Sequence, residues 1–183
     1  FARRSGVEPP RDLFLAARKP DELAAFGNDI SIRYGKNARP VYFDALDYKS
    51  HQAFYDALDP KPEGVVCAVG YLGDQDKAQQ DFTETDKIIQ TNYTGCVSIL
   101  NIIANDFERR KSGFIVGISS VAGDRGRKKN YIYGSAKAAF TAYLSGLRNR
   151  LYEAGVQVLT VKPGFVDTKM IKGMDTPEKL TAQ

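Results

Sequence analysis

Tyr133-Gly-Ser-Ala-Lys137 sets a phenol and an ammonium group four residues apart, a spacing that puts both on one face of a helix. The phenol carries an exchangeable proton and the ammonium a fixed positive charge, the ingredients of a proton-transfer site. Of the ten tyrosines in the chain, Tyr133 alone has lysine at the fourth following position. Taken alone, one match among ten tyrosines is near chance and reads as an ordinary helix pair. Ser120 stands thirteen residues before Tyr133, just past the apolar run Phe114-Ile-Val-Gly-Ile118. A hydroxyl at the carboxyl end of a buried strand either caps a turn or faces a ligand. Ser120, the small residues Ala122 and Gly123, Tyr133 and Lys137 are together far more specific than any one of them.

The elements that must position these groups follow from the apolar pattern. Asp12 to Ala17 reads as a strand, and the amphipathic stretch from Pro20 to about Arg33 as a helix. Val41-Tyr42-Phe43 is extended and leads to Asp47, the predicted N-cap of a helix carrying Phe54, Tyr55 and Leu58. Val65 to Val69 is continuously apolar and ends at Gly70, as a strand covered on both faces would be, and a loop with Gly73 follows. Helical spacing runs from about Thr83 to Lys111, the strand at 114–118 comes next, and a long helix spans Tyr131 to Ala154 with Gly155 to end it. Val156 to Val161 is the last strand and closes at Pro163-Gly164. This alternation predicts an α/β fold, a doubly wound parallel sheet whose ligands sit at the carboxyl ends of the strands.

A chain of 183 residues, 43% hydrophobic and 26% charged, has the length and composition of one globular domain over residues 1–183. No run approaches the length of a membrane span. The net charge of +4 and the neighbouring Arg125, Arg127, Lys128 and Lys129 raise an anionic partner, but the basic residues are not interleaved with aromatics as nucleic-acid stacking requires. Cys67 and Cys96 lie among apolar neighbours and read as reduced core thiols of a cytoplasmic protein. With one histidine, His51, and no cysteine pair at ligand spacing, no metal site is expected. Asn92-Tyr93-Thr94 matches a glycosylation pattern but has no secretion signal beside it, so it is set aside. The chain opens at Phe1 without methionine, on what reads as the tail of a helix and a turn, as a cut start would.

From the strand at Leu13 to Thr168, the order and spacing of these segments resemble the short-chain dehydrogenase/reductase family. The resemblance implies a Rossmann-like fold and hydride transfer between a nicotinamide cofactor and a carbonyl or alcohol. Tyr133 would exchange the proton, Ser120 would hold the carbonyl oxygen, and Asn92, in the Asn-x-x-Gly segment 92–95, would complete a relay to Lys137 through water. The physics supports the pairing. A free phenol titrates near pH 10, which leaves about 4 kcal/mol to be found for exchange near neutrality. An ammonium group about 4 Å away at an effective dielectric near 20 supplies roughly that much.

Cofactor choice is read at the end of the family's second strand, where an acid would accept the ribose hydroxyls of NAD. Here Ala17 takes that place and Arg18 and Lys19 follow, which favours the 2'-phosphate of NADP(H). By the same resemblance Asp44 would meet the adenine, Gly70 would border the cofactor, and Pro163, Gly164, Val166 and Thr168 would hold the carboxamide and phosphates beside Tyr133 and Lys137. Departures stand beside these matches. The first strand with its Gly-rich loop, and the last helix and strand, are not found in this chain, so a truncated domain is expected. Ala68-Val69-Gly70 replaces the family's Asn-Ala-Gly.

The segments Ser119 to Arg127 and Asn130 to Lys137 resemble the branch that includes decaprenylphosphoryl 2-keto-pentose reductases, which suggests a keto-sugar substrate. Arg125 and Arg127 would then meet a substrate phosphate, or form only a solvated loop. Phe140, Tyr143, Leu144, Leu147 and Leu151 form a stripe that either covers the sheet or pairs subunits into a homo-oligomer. A non-catalytic member of the same fold, binding a nucleotide or a partner, is the competing reading.

Overall fold

Short apolar runs bounded by polar turns become strands throughout, and the structure, a computed structural model, describes residues 12–166. The chain divides into two units, one through Asp44 and one from Ala45. In the first unit β1 (Leu13–Ala17) and β2 (Ala38–Tyr42) run parallel, with Leu13 beside Ala38 and Ala17 beside Tyr42. A 3-10 turn, Pro20–Leu23, and helix α1, Ala24–Tyr34, make the crossover between them. Arg39 of β2 lays its guanidinium 4.9 Å from the centre of the Phe14 ring.

In the second unit β3 (Gly64–Cys67), β4 (Phe114–Ile118) and β5 (Gln157–Val161) form a parallel sheet in that order, with Val66, Val116 and Leu159 side by side. Its helices are α2 (His51–Asp56), α3 (Gln75–Ala78), α4 (Phe82–Ile89), α5 (Gly95–Arg110) and α6 (Tyr131–Leu151). Parallel strands joined by helical crossovers make this the α/β, Rossmann-like fold expected from the sequence. Leu100 and Phe107 of α5, Phe140, Leu144 and Leu151 of α6, and Ile115 of β4 are fully buried in the core. Each such side chain contributes about 1.5–3 kcal/mol relative to exposure.

Three expectations need correction. The helical stretch 83–111 is two helices with a π turn, Gln90–Thr94, between them, because one added residue per turn barely disturbs an apolar pattern at the sequence level. Ser50, not Asp47, precedes α2; the Asp47 carbonyl accepts the Ser50 N–H at 3.0 Å and the Ser50 hydroxyl at 2.9 Å, so Asp47 starts a turn instead. Helix α6 stops at Leu151, and a turn carries the chain to Gly155, which takes φ 70°. On one face of this sheet Val116 is buried between Val66, 55% exposed, and Leu159, 49% exposed, and on the opposite face Ile115 and Val158 are buried. Among the described residues no helix is long and apolar enough to cross a membrane, and no cluster of His, Cys, Asp and Glu could hold a metal ion.

Candidate active site

Ser120 leaves β4 in extended conformation, and its Oγ accepts the Ala122 N–H at 3.1 Å, capping the 3-10 turn Val121–Gly123. The hydroxyl hydrogen remains for a second partner, and Ser120 favours the ionised form of the Tyr133 phenol. The turn can lie this close to α6 only because both surfaces lack side chains. A Cβ at Gly134 would stand 2.5 Å from the Ala122 carbonyl oxygen, and one at Gly123 would stand 2.7 Å from the Ala138 nitrogen.

Tyr133 and Lys137 share the inner face of α6, 9% and 2% exposed. Lys137 Nζ donates to the Ile118 carbonyl at 3.1 Å and the Val69 carbonyl at 3.3 Å, bridging the ends of β4 and β3, and lies 5.8 Å from the centre of the Tyr133 ring. Burial holds Lys137 below the usual ammonium range against the opposing pull of Cys96 and Cys67. Burial raises the Tyr133 phenol above 10.0, and the hydrogen bond from Ser120 offsets only part of the rise. The expectation that Lys137 draws the phenol down is not met in this state, because the ammonium is aimed at two carbonyls and desolvation prevails.

Asn92 is fully buried in the π turn. Its Nδ2 donates to the Tyr71 carbonyl at 2.6 Å and the Ile88 carbonyl at 2.8 Å, and its Oδ1 accepts the Tyr71 N–H at 3.1 Å. The side chain therefore grips the loop after β3 one residue beyond Gly70. Pro163, Gly164 and Val166 follow β5. The Val121 N–H donates to the Pro163 carbonyl at 3.2 Å, and Lys162 pairs with Asp124 at 2.6 Å, so this turn is tied to the turn after Ser120. The second unit thus gathers Ser120, Tyr133, Lys137, Asn92, Gly70 and the Pro163 turn around the carboxyl ends of its strands.

In the first unit Arg18 is exposed directly after β1 and Asp44 half-buried just past β2, again at carboxyl ends. Thr168 and the opening Phe1–Gly6 segment lie outside the described residues. Within the second unit, the loops at the parallel strand ends fit the nicotinamide end of a dinucleotide, and among the described residues an added Cβ at Gly164 would meet nothing within 4 Å.

Three residues at the site escaped the sequence reading: Ser119, Tyr71 and Glu84. The paired serines at a strand end were a usable signal for Ser119. Nothing in the spacing of Tyr71 and Glu84 marks their contact.

The short chain dehydrogenase model matches residues 7–179 of this chain. The chain belongs to the short-chain dehydrogenase family. As a member it is an oxidoreductase acting on small molecules. It is 37% identical over 179 residues to an uncharacterised oxidoreductase of Mycobacterium tuberculosis, covering 93% of this chain and 72% of the relative. A probable NADP-dependent dehydrogenase of Haemophilus influenzae is 31% identical over 166 residues, 87% of this chain and 63% of that one. Among solved structures, a short-chain dehydrogenase from Sphingobium yanoikuyae in complex with NADPH superimposes with a TM-score of 0.84 at 24% identity, over 93% of this chain and 69% of its own.

Proposed function

We propose that this dehydrogenase uses NADP(H) to reduce a carbonyl to an alcohol, or runs the reverse reaction, with Tyr133 as its proton donor and acceptor. The observation that carries the reading is the buried Tyr133 phenol on the inner face of α6, one turn from the Lys137 ammonium that donates to the backbone where strands β3 and β4 end. The nicotinamide would supply or accept the hydride and, when oxidised, add a positive charge beside the phenol.

In reduction Tyr133 gives its proton to the carbonyl oxygen as the carbon becomes an alcohol carbon, and Ser120 donates a hydrogen bond to that oxygen. Lys137 then stabilises the phenolate left behind, and water links Asn92 to Lys137 for reprotonation. Arg18 binds the 2'-phosphate and Asp44 the adenine, while Gly70, Pro163, Gly164, Val166 and Thr168 hold the nicotinamide end beside Tyr133 and Lys137. The Haemophilus relative and the NADPH complex support NADP(H) over NAD(H). A keto-sugar is the substrate that the resemblance of segments 119–127 and 130–137 favours, and residues 1–183 are read as one domain.

The test is a titration of NADPH and NADH against the full-length native protein and its Arg18→Ala variant. Loss of a charge-assisted phosphate contact, worth about 1.5–3 kcal/mol, should weaken NADPH about 10- to 100-fold and leave NADH unchanged. Binding of neither nucleotide to the parent protein would leave the non-catalytic reading standing.

A further inference from the structure

The loop after β3 is held by two residues, Asn92 and Glu84. Asn92 takes both the N–H and the carbonyl of Tyr71. Eight residues before Asn92, Glu84 Oε1 accepts the Tyr71 hydroxyl at 2.7 Å and the Asp74 N–H at 3.2 Å. Glu84 is only 6% exposed, and its second oxygen is 4.0 Å from Lys77 Nζ. Lys87 Nζ stands 4.5 Å from the centre of the Tyr71 ring. The hydrogen bond from Tyr71 holds the Glu84 carboxyl below the usual carboxylate range, and the same bond raises the Tyr71 phenol. Donor and acceptor are thereby fixed: a protonated tyrosine on an ionised glutamate.

Glu84 is the third residue of α4, after the Asp81 cap. A glutamate there commonly reaches back to the capping residue's own N–H. Glu84 instead spends its Oε1 on a loop ten and thirteen residues away in sequence. Burying a carboxylate is unfavourable unless its bonds are well made, so the fold commits a costly group to this one segment. The segment matters because it begins at Val69, whose carbonyl receives the Lys137 ammonium, and contains Gly70. Gly73 completes the docking at φ 69°, where a Cβ would stand 2.4 Å from Ile88.

We infer that Glu84 is a positioning residue for the reaction, acting through the Tyr71 hydroxyl to fix the 69–74 loop that aligns Lys137. The inference rests on the carbonyl-reductase reading above. In the full-length native protein, Glu84→Ala and Tyr71→Phe should each lower kcat about tenfold and change the cofactor KM by less than that, the loss expected of a small misplacement at a reacting centre. The double variant should fall no further than either single one, since both remove the same contact. Glu84→Gln, whose amide oxygen can accept both bonds, should restore most of kcat.

A residue that only supports the fold would lower Tm and leave kcat per folded molecule unchanged, and that outcome overturns the inference. Should Glu84→Ala not fold, Tyr71→Phe keeps the ring against Lys87 and carries the test. Hydrogen exchange supplies a readout independent of turnover: the Tyr71 and Asp74 amides should exchange faster in Glu84→Ala but not in Glu84→Gln, and equal rates overturn the clamp. A parent protein that binds cofactor but reduces no carbonyl defeats the reductase reading, and hydrogen exchange then judges the clamp by itself.

Discussion

The hydroxyl of Ser119 donates to the backbone carbonyl of Lys137 across 2.9 Å. Thr141 donates to the same carbonyl at 3.0 Å, and the two hydroxyl oxygens stand 2.7 Å apart. Ser119 is 3% exposed. This link ties the end of β4 to the middle of α6 and sets the height at which the Lys137 ammonium meets Val69 and Ile118. Ser119→Ala removes one donor while Thr141 still serves the carbonyl, so stability should fall by only about 0.5–1.5 kcal/mol in urea denaturation. Turnover should fall by more than that loss explains, roughly three- to tenfold in kcat, because the helix is free to shift by tenths of an ångström. An unchanged kcat would show that Thr141 alone holds α6 in place.

The approach of the Val121–Gly123 turn to α6 gives a second prediction. A methyl group at Gly134 would lie 2.5 Å from the Ala122 carbonyl oxygen, so either the turn or the helix must move. Gly134→Ala should cost about 1–3 kcal/mol as overpacking and pull Ser120 away from Tyr133, lowering kcat at least about tenfold. Gly146 lies on the same helix with nothing within 4 Å of an added Cβ. Gly146→Ala should therefore stabilise by about 0.5–1 kcal/mol with kcat unchanged. Parallel thermal melts and initial rates on the two variants separate packing at the site from helix propensity.

Strands were legible because apolar runs at 13–17, 114–118 and 157–161 are bounded by turn residues, and the long helix because its apolar stripe from Phe140 to Leu151 repeats at helical spacing. The chemistry of α6 was legible because Tyr133 and Lys137 are fixed by helical spacing and Ser120 by its strand end. What stayed hidden depends on contacts between distant segments. The grip of Asn92 on Tyr71 spans 21 residues and that of Ser119 on Lys137 spans 18, and neither leaves a periodic trace. The Tyr133 environment was misjudged for a related reason: a nearby ammonium can be inferred from spacing, but the carbonyls that engage it and the burial that opposes it cannot.

That burial makes the Tyr133 phenol itself testable. Its pKa is raised above 10.0 by desolvation, with Ser120 pulling the other way. In the cofactor-free protein Tyr133 should therefore remain protonated when a model tyrosine is half ionised. For an acid whose folded value is raised, the unfolded chain ionises first. The stability Tyr133 contributes is thus complete below pH about 10 and drains away as pH climbs from there through the folded value. Ultraviolet difference titration of the parent protein against Tyr133→Phe isolates this one phenol. Ser120→Ala should move the difference curve to still higher pH by removing the donor that favours the phenolate. Addition of oxidised cofactor should move it down, because a second positive charge then joins Lys137. A cofactor-free curve lying below pH 10 would mean that the Lys137 ammonium outweighs burial after all.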